Sequence, residues 1–157
     1  MKIPSDQLEQ LQLNLLRSHA CGVGDPFNED VVRAMLLLRA NVLATGHAGC
    51  RPVVVERVLE LLDAGVHPVV PSLGSVGASG DLAPLAHMSC ALLGIGNVRV
   101  AGEEMTATEA LRKAGLKPVR LRPKEGLALL NGTQVSTAIA LAAAFRTENV
   151  MSAALVA

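Results

Sequence analysis

Apolar positions recur at helical spacing along most of this chain, in blocks separated by glycine and proline. Leu8, Leu11, Leu15 and Leu16 make one stripe, opened by Ser5 as N-cap and closing near Ser18-His19, ahead of Gly22 and Gly24. Asn28 opens a second helix through Val31, Met35, Leu38 and Val42 to Gly46. Arg51-Pro52 starts a third, which stops at a C′ glycine, Gly65. Val66 to Gly77 reads as a loop punctuated by Pro and Gly. Asp81 is placed to cap a fourth helix, with Pro84 in its first turn and Leu82, Leu85, Met88, Ala91 and Leu92 running to the Gly94-Ile95-Gly96 stop. Val98 to Met105 has the pattern of a small hairpin, and Thr106 to Glu109 that of a capping box for a short helix ending at Gly115. Leu116 to Pro123 is a connector, and Lys124-Glu125 reads as the polar start of a helix. A last helix begins near Gln134; Ser136 to Ala157 contains no Gly or Pro, so the pattern predicts continuation beyond it. The fold expected is mainly α, with one small β-hairpin.

Composition sharpens this picture. Half the residues are apolar, but there are only two Phe and no Trp or Tyr, so the core must be Leu, Val, Ala and Ile in close-packed helices. A chain of 157 residues suits one domain, able to bury about 68–70% of its unfolded surface. Lys+Arg and Asp+Glu balance at 14 each and the pI is near 6.9, which removes the electrostatic case for nucleic acid or an anionic membrane as partner. Cys21, Cys50 and Cys90 are odd in number and lack CxxC spacing, as free thiols of a reducing, cytoplasmic setting would be. Met1 to Asp6 has no apolar signal core. The uncharged run Gly126–Phe145 approaches bilayer length. It carries Asn131, Thr133, Gln134, Ser136 and Thr137, however, and reads as a buried helix of a soluble fold.

The chemistry concentrates in Gly74-Ser75-Val76-Gly77-Ala78-Ser79-Gly80-Asp81-Leu82-Ala83-Pro84-Leu85. Ala78-Ser79-Gly80 is able to react with itself. The amide nitrogen of Gly80 attacks the carbonyl of Ala78, closing a five-membered ring, and Ser79 loses its hydroxyl as water. Glycine tolerates the dihedrals that closure needs. The product is a methylidene imidazolone (MIO), a Michael-type acceptor made from protein alone. A helix N-terminus just beyond it would draw electron density into the ring, and Asp81 could assist proton removal. The neighbouring phosphate-loop and nucleophile-elbow patterns both fail: GxGxxG is absent, and Asp81 stands where GxSxG needs glycine. A structural turn followed by a capped helix accounts for the same spacing.

The twelve-residue string resembles, without a gap, the active-site signature of the aromatic amino-acid ammonia-lyases. Asn14 to His19, Asn41 to Ala44 and Lys124 to Gln134 are further blocks similar to that family, in its order and across the whole chain. The resemblance implies a mainly α ammonia-lyase fold and MIO as the prosthetic group, with no metal. It also implies a homotetramer whose sites draw on several subunits. Residues 1–157 would form one partial domain, an amino-terminal piece without the family's first segment or its long helical bundle.

Site residues follow position by position. Ala78, Ser79 and Gly80 would form the ring, with Asp81 beside them. Ser18-His19 occupies the family's substrate-selectivity position and is similar to the pair in histidine-specific members; a helix-terminal His is equally a dipole partner. Asn131 would contact the ring and substrate as a neutral donor, although Asn-Gly is also a common turn. Gln134 is a weaker candidate, while His87 reads as core or interface, and His47 and His67 have no partner in sequence. The resemblance implies the reaction of L-histidine to trans-urocanate and ammonia, with a tyrosine as base. This chain has no tyrosine, so the base is expected outside it. A phenylalanine or tyrosine lyase, an aminomutase, or a non-catalytic assembly module are the alternatives.

Overall fold

The computed structural model describes residues 4–156. The helices are α1 Leu8–His19, α2 Glu29–Ala44, α3 Pro52–Asp63, α4 Leu82–Leu92, α5 Ala107–Lys113, α6 Glu125–Leu130 and α7 Gln134–Val156. Short strands join them: β1 Val23–Pro26, β2 Val66–Pro68, β3 Pro71–Leu73, β4 Asn97–Val100 and β5 Glu103–Thr106. The fold is mainly α, as the periodicity implies. A 3-10 turn, Ser5–Gln7, leads into α1; the capping role expected of Ser5 falls on a side chain outside the described ones.

The core is aliphatic. Leu16, Met35, Leu36, Leu61, Leu85, Met88, Leu92, Leu129 and Leu130 are fully buried, each contributing about 1.5–3 kcal/mol by leaving water. Helix α4 is buried on nearly every face because its eleven residues carry no carboxylate, Lys or Arg. It packs between α1 and α6, while α2 packs against both α3 and α7. The buried face of α2 is wider than the expected stripe: Val31 and Met35 are buried as expected, Val32, Leu36, Arg39 and Leu43 are buried beside them, and Val42 is exposed.

An ion pair fixes how α3 and α6 start. Glu125 is almost fully buried and accepts from Arg51 Nε at 2.7 Å and Nη2 at 2.8 Å, and from the backbone N–H of Arg51 and of Arg122. Burial pushes its carboxyl up, but these donors outweigh that and hold it below the usual range. The expected polar start of α6 is thus a buried latch.

Strands β4 and β5 form the expected hairpin, turning through Ala101 and Gly102, both at positive φ as a two-residue type I′ turn requires. Two segments depart from the expected pattern, one before the tripeptide and one after it. Val66 to Gly77 contains two strands: β2 adds to β4 in a three-stranded sheet, and β3 pairs antiparallel with β1. Each of the two is three residues long, too short for alternation to register in the sequence. The run Gly126–Phe145 is not one buried helix. It breaks at residues 131–133, and in α7 only Gln134, Val135 and Ala138 are buried. Glu125–Val156 is long and apolar enough by length and composition to cross a membrane, yet its polar break is tied into the protein by Arg39 and Asp81.

Candidate active site

Residues 74–79 are exposed, and Gly80 is buried. The loop is anchored at both ends. At its start, Gly74 lies so near Gly22 that a Cβ on Gly74 would come within 3.0 Å of the Gly22 Cα. The Gly22 N–H donates to Nε2 of His87 on α4 at 3.0 Å. With the β1–β3 pairing, this lays the segment after His19 alongside the entry to the tripeptide loop. His87, read from sequence as core or interface, is half-buried, and burial lowers its pKa. The neutral ring is the form that accepts this bond.

At the loop's end Gly80 has φ +123°, a conformation L side chains rarely adopt. A Cβ there would meet Gly132 N at 2.8 Å, Gly132 O at 3.0 Å and Asn131 Oδ1 at 3.0 Å. The Asp81 N–H donates to Gly132 O at 2.7 Å. Only a residue without Cβ fits between the loop and the α6–α7 junction, which is the cradle a Gly80 nitrogen drawn into a ring would need. The tripeptide therefore fits the MIO precursor: exposed and irregular up to Ser79, held fast at Gly80.

Asp81 stands at the start of α4 but does not cap it. Its carboxylate, 1% exposed, accepts from Ser136 N at 2.8 Å, Ser136 Oγ at 2.7 Å and Ser75 Oγ at 2.7 Å. Burial pushes this carboxyl up; the N–H and O–H of Ser136, the Ser75 hydroxyl and the Val135 N–H more than reverse that, and it lies below the ordinary range. Asp81 thus serves the N-terminus of α7 and ties the loop to it. The expected cap of α4 is absent because α7 offers free N–H groups nearer the carboxylate. No side chain hydrogen-bonds the first N–H groups of α4, whose N-terminus follows directly on Gly80.

Asn131 places Oδ1 3.0 Å from where a Cβ on Gly80 would stand. His19, at the end of α1, has Nδ1 2.8 Å from Leu15 O, a contact in which Nδ1–H donates and which leaves Nε2 free of a partner among the described residues. Among the described residues no hydrogen bond joins it to Asn131 or to the tripeptide. Gln134 is buried and structural, accepting from Arg39 at 2.6 Å. His67 finds partners that sequence could not show, Glu29 and Arg33. A surface cavity of about 440 Å³ is lined by Leu13, Arg17, Ile95 and Pro118 among others and includes none of the tripeptide residues, His19 or Asn131. The tripeptide loop is instead open to solvent. Among the described residues no His, Cys, Asp and Glu cluster is suited to a metal ion.

Sequence reasoning missed Arg39. It is 2% exposed, and burial lowers its pKa to about 10. Its signal was present: a cation on the Val32, Leu36, Leu43 stripe is a charge on a core-facing surface.

The family described as aromatic amino acid lyase matches residues 1–157. The histidine ammonia-lyase of Geobacillus thermodenitrificans is 59% identical over 148 residues, which are 94% of this chain and 29% of that protein. Among solved structures, the histidine ammonia-lyase of Trypanosoma cruzi superposes with a TM-score of 0.83 at 46% identity, over 87% of this chain and 27% of that one. The phenylalanine aminomutase of Pantoea agglomerans also gives 0.83, at 37% identity, over 87% of this chain and 26% of its own. The chain spans under a third of the length of each.

Proposed function

This chain belongs to the aromatic amino acid lyase family, and from that premise we propose that Ala78-Ser79-Gly80 cyclises to MIO in a protein that converts L-histidine to trans-urocanate and ammonia. The observation that carries the reading is Gly80, held at φ +123° against Asn131 and Gly132 with its neighbours 74–79 exposed. Ring closure joins Gly80 N to the Ala78 carbonyl carbon and releases one water; loss of the Ser79 hydroxyl with its α-hydrogen releases a second. Once formed, the group supplies an electrophilic methylidene carbon.

The remaining roles belong to side chains of this chain. Asp81, with its oxygens engaged by Ser75 and Ser136, stays ionised and anchors the loop rather than shuttling protons. The first N–H groups of α4, which Asp81 leaves uncapped, are donors that lie just after Gly80 in the chain. Asn131 presents a neutral amide to the same point. His19, with Nδ1 engaged, offers Nε2 to a donor such as the imidazole N–H of substrate.

The base that removes the β-proton is, on this reading, a tyrosine, and this chain has none. It and the walls of the pocket come from other residues or other copies in a homo-oligomer, a homotetramer by family likeness. The second reading, a phenylalanine or tyrosine lyase or an aminomutase, draws on the equal superposition of the Pantoea enzyme; Ser18-His19 favours histidine.

Intact mass of the full-length protein tests the prosthetic group. The expected result is a deficit of two waters, abolished by Ser79→Ala; an undiminished wild-type mass would overturn the reading. Turnover of histidine against phenylalanine and tyrosine then decides the substrate.

A further inference from the structure

We propose that Arg39 is the positioning residue that sets Asn131 and Gly132 against Gly80, an inference that rests on the tripeptide reading above. Arg39 projects from α2 into the break between α6 and α7. Nη1 donates to Gln134 Oε1 at 2.6 Å, and Nη2 donates to Asn131 O at 3.0 Å and to Ala128 O. The acceptors bracket residues 131–133, so one guanidinium fixes the end of α6, the turn and the start of α7 together.

Two features make this more than packing. Among the described residues no carboxylate pairs with Arg39; its charge is met by carbonyls at the negative end of α6, so its position is tied to that helix end. Moreover, Gly132 is sandwiched. A Cβ on Gly132 would run into Arg39 Nη1 and Gln134 Oε1, while its own backbone N and O stand 2.8 and 3.0 Å from the Cβ site of Gly80. A shift at Arg39 reaches the tripeptide through a single residue. Lysine cannot substitute, since one ammonium on a flexible stem cannot span acceptors on both helices.

The test uses the full-length protein, with Arg39→Gln, Arg39→Lys, Asn131→Ala and the Arg39→Gln/Asn131→Ala double variant. Intact mass and kcat and KM for L-histidine are read, with circular dichroism as the check of folding. We expect Arg39→Gln to lower kcat by about 10- to 100-fold while KM moves far less, the scale of a misplacement near 1 Å. Arg39→Lys should not restore it. The double variant should be no slower than Asn131→Ala alone, because both act at one point. Full additivity in the double variant, or a wild-type kcat in Arg39→Gln, overturns the positioning role. Should Arg39→Gln fail to fold, Gln134→Ala removes one acceptor and leaves the guanidinium in place. A smaller fall in kcat then supports the role, and an unchanged kcat overturns it. A wild type of undiminished mass overturns the tripeptide reading and this role with it; a dehydrated wild type with indifferent Arg39 variants overturns the role alone.

Discussion

At the residue scale the site depends on polar groups that do two jobs. Asp81 follows the tripeptide in sequence but spends its carboxylate on Ser75 and Ser136. Asp81→Asn keeps the shape and loses the charge, and should cost about 1.5–3 kcal/mol, the worth of charge-assisted bonds; urea unfolding at neutral pH measures it. Because the Asp81 carboxyl is held below its ordinary value, that stability is present above about pH 4 and is lost as pH falls through the lowered value. His87 and His67 work in a different window. Burial lowers both pKa values, so the unfolded chain takes up protons first. Their contribution is whole above about pH 6.5 and drains away as pH falls from there toward the lowered values. His87→Gln keeps an acceptor for the Gly22 N–H without the titration. Comparing unfolding at pH 7.5 and 5.5, we expect a smaller difference in that variant than in the wild type; an equal difference would mean His87 does not titrate in folding.

At the element scale, the α6–α7 junction differs from an ordinary helix break. Gly132 has Arg39 and Gln134 on one side and Gly80 on the other. Gly132→Ala therefore overpacks the junction, at about 1–3 kcal/mol, and should also suppress the two-water mass deficit. Thr106→Ala is the contrasting control. The Thr106 hydroxyl accepts from Glu109 N at 3.3 Å to cap α5, so its loss should cost about 1 kcal/mol and leave dehydration intact. A control variant that also blocked the mass change would show that general destabilisation, not the junction, governs ring closure. The capping box itself is half-formed: Glu109 turns its side chain to Lys113 at 3.0 Å instead of back to the cap.

At the scale of the whole molecule, α7 leaves Phe145, Val150, Met151 and Leu155 at 60% exposed or more. Apolar surface of this extent is what subunit association covers. Sedimentation velocity across a range of concentrations should show association that Phe145→Glu weakens, and a monomer at every concentration would remove α7 as an assembly surface. The order of the helices, the Gly65 stop, the β4–β5 hairpin and the Ala78-Ser79-Gly80 motif were legible in sequence, because each is set by residues close together in the chain. Arg39, the turn of Asp81 from α4 to α7, the His87–Gly22 bond and the β1–β3 pairing were not, because each depends on which distant group arrives nearest. The sequence by itself determined that Ala78-Ser79-Gly80 stands directly before a helix, since both are written in neighbouring residues. Only the tertiary structure decided what grips it. The partners of Gly80 lie some fifty residues on, at Asn131 and Gly132, and the cation that holds them comes from α2, a meeting that local pattern cannot encode.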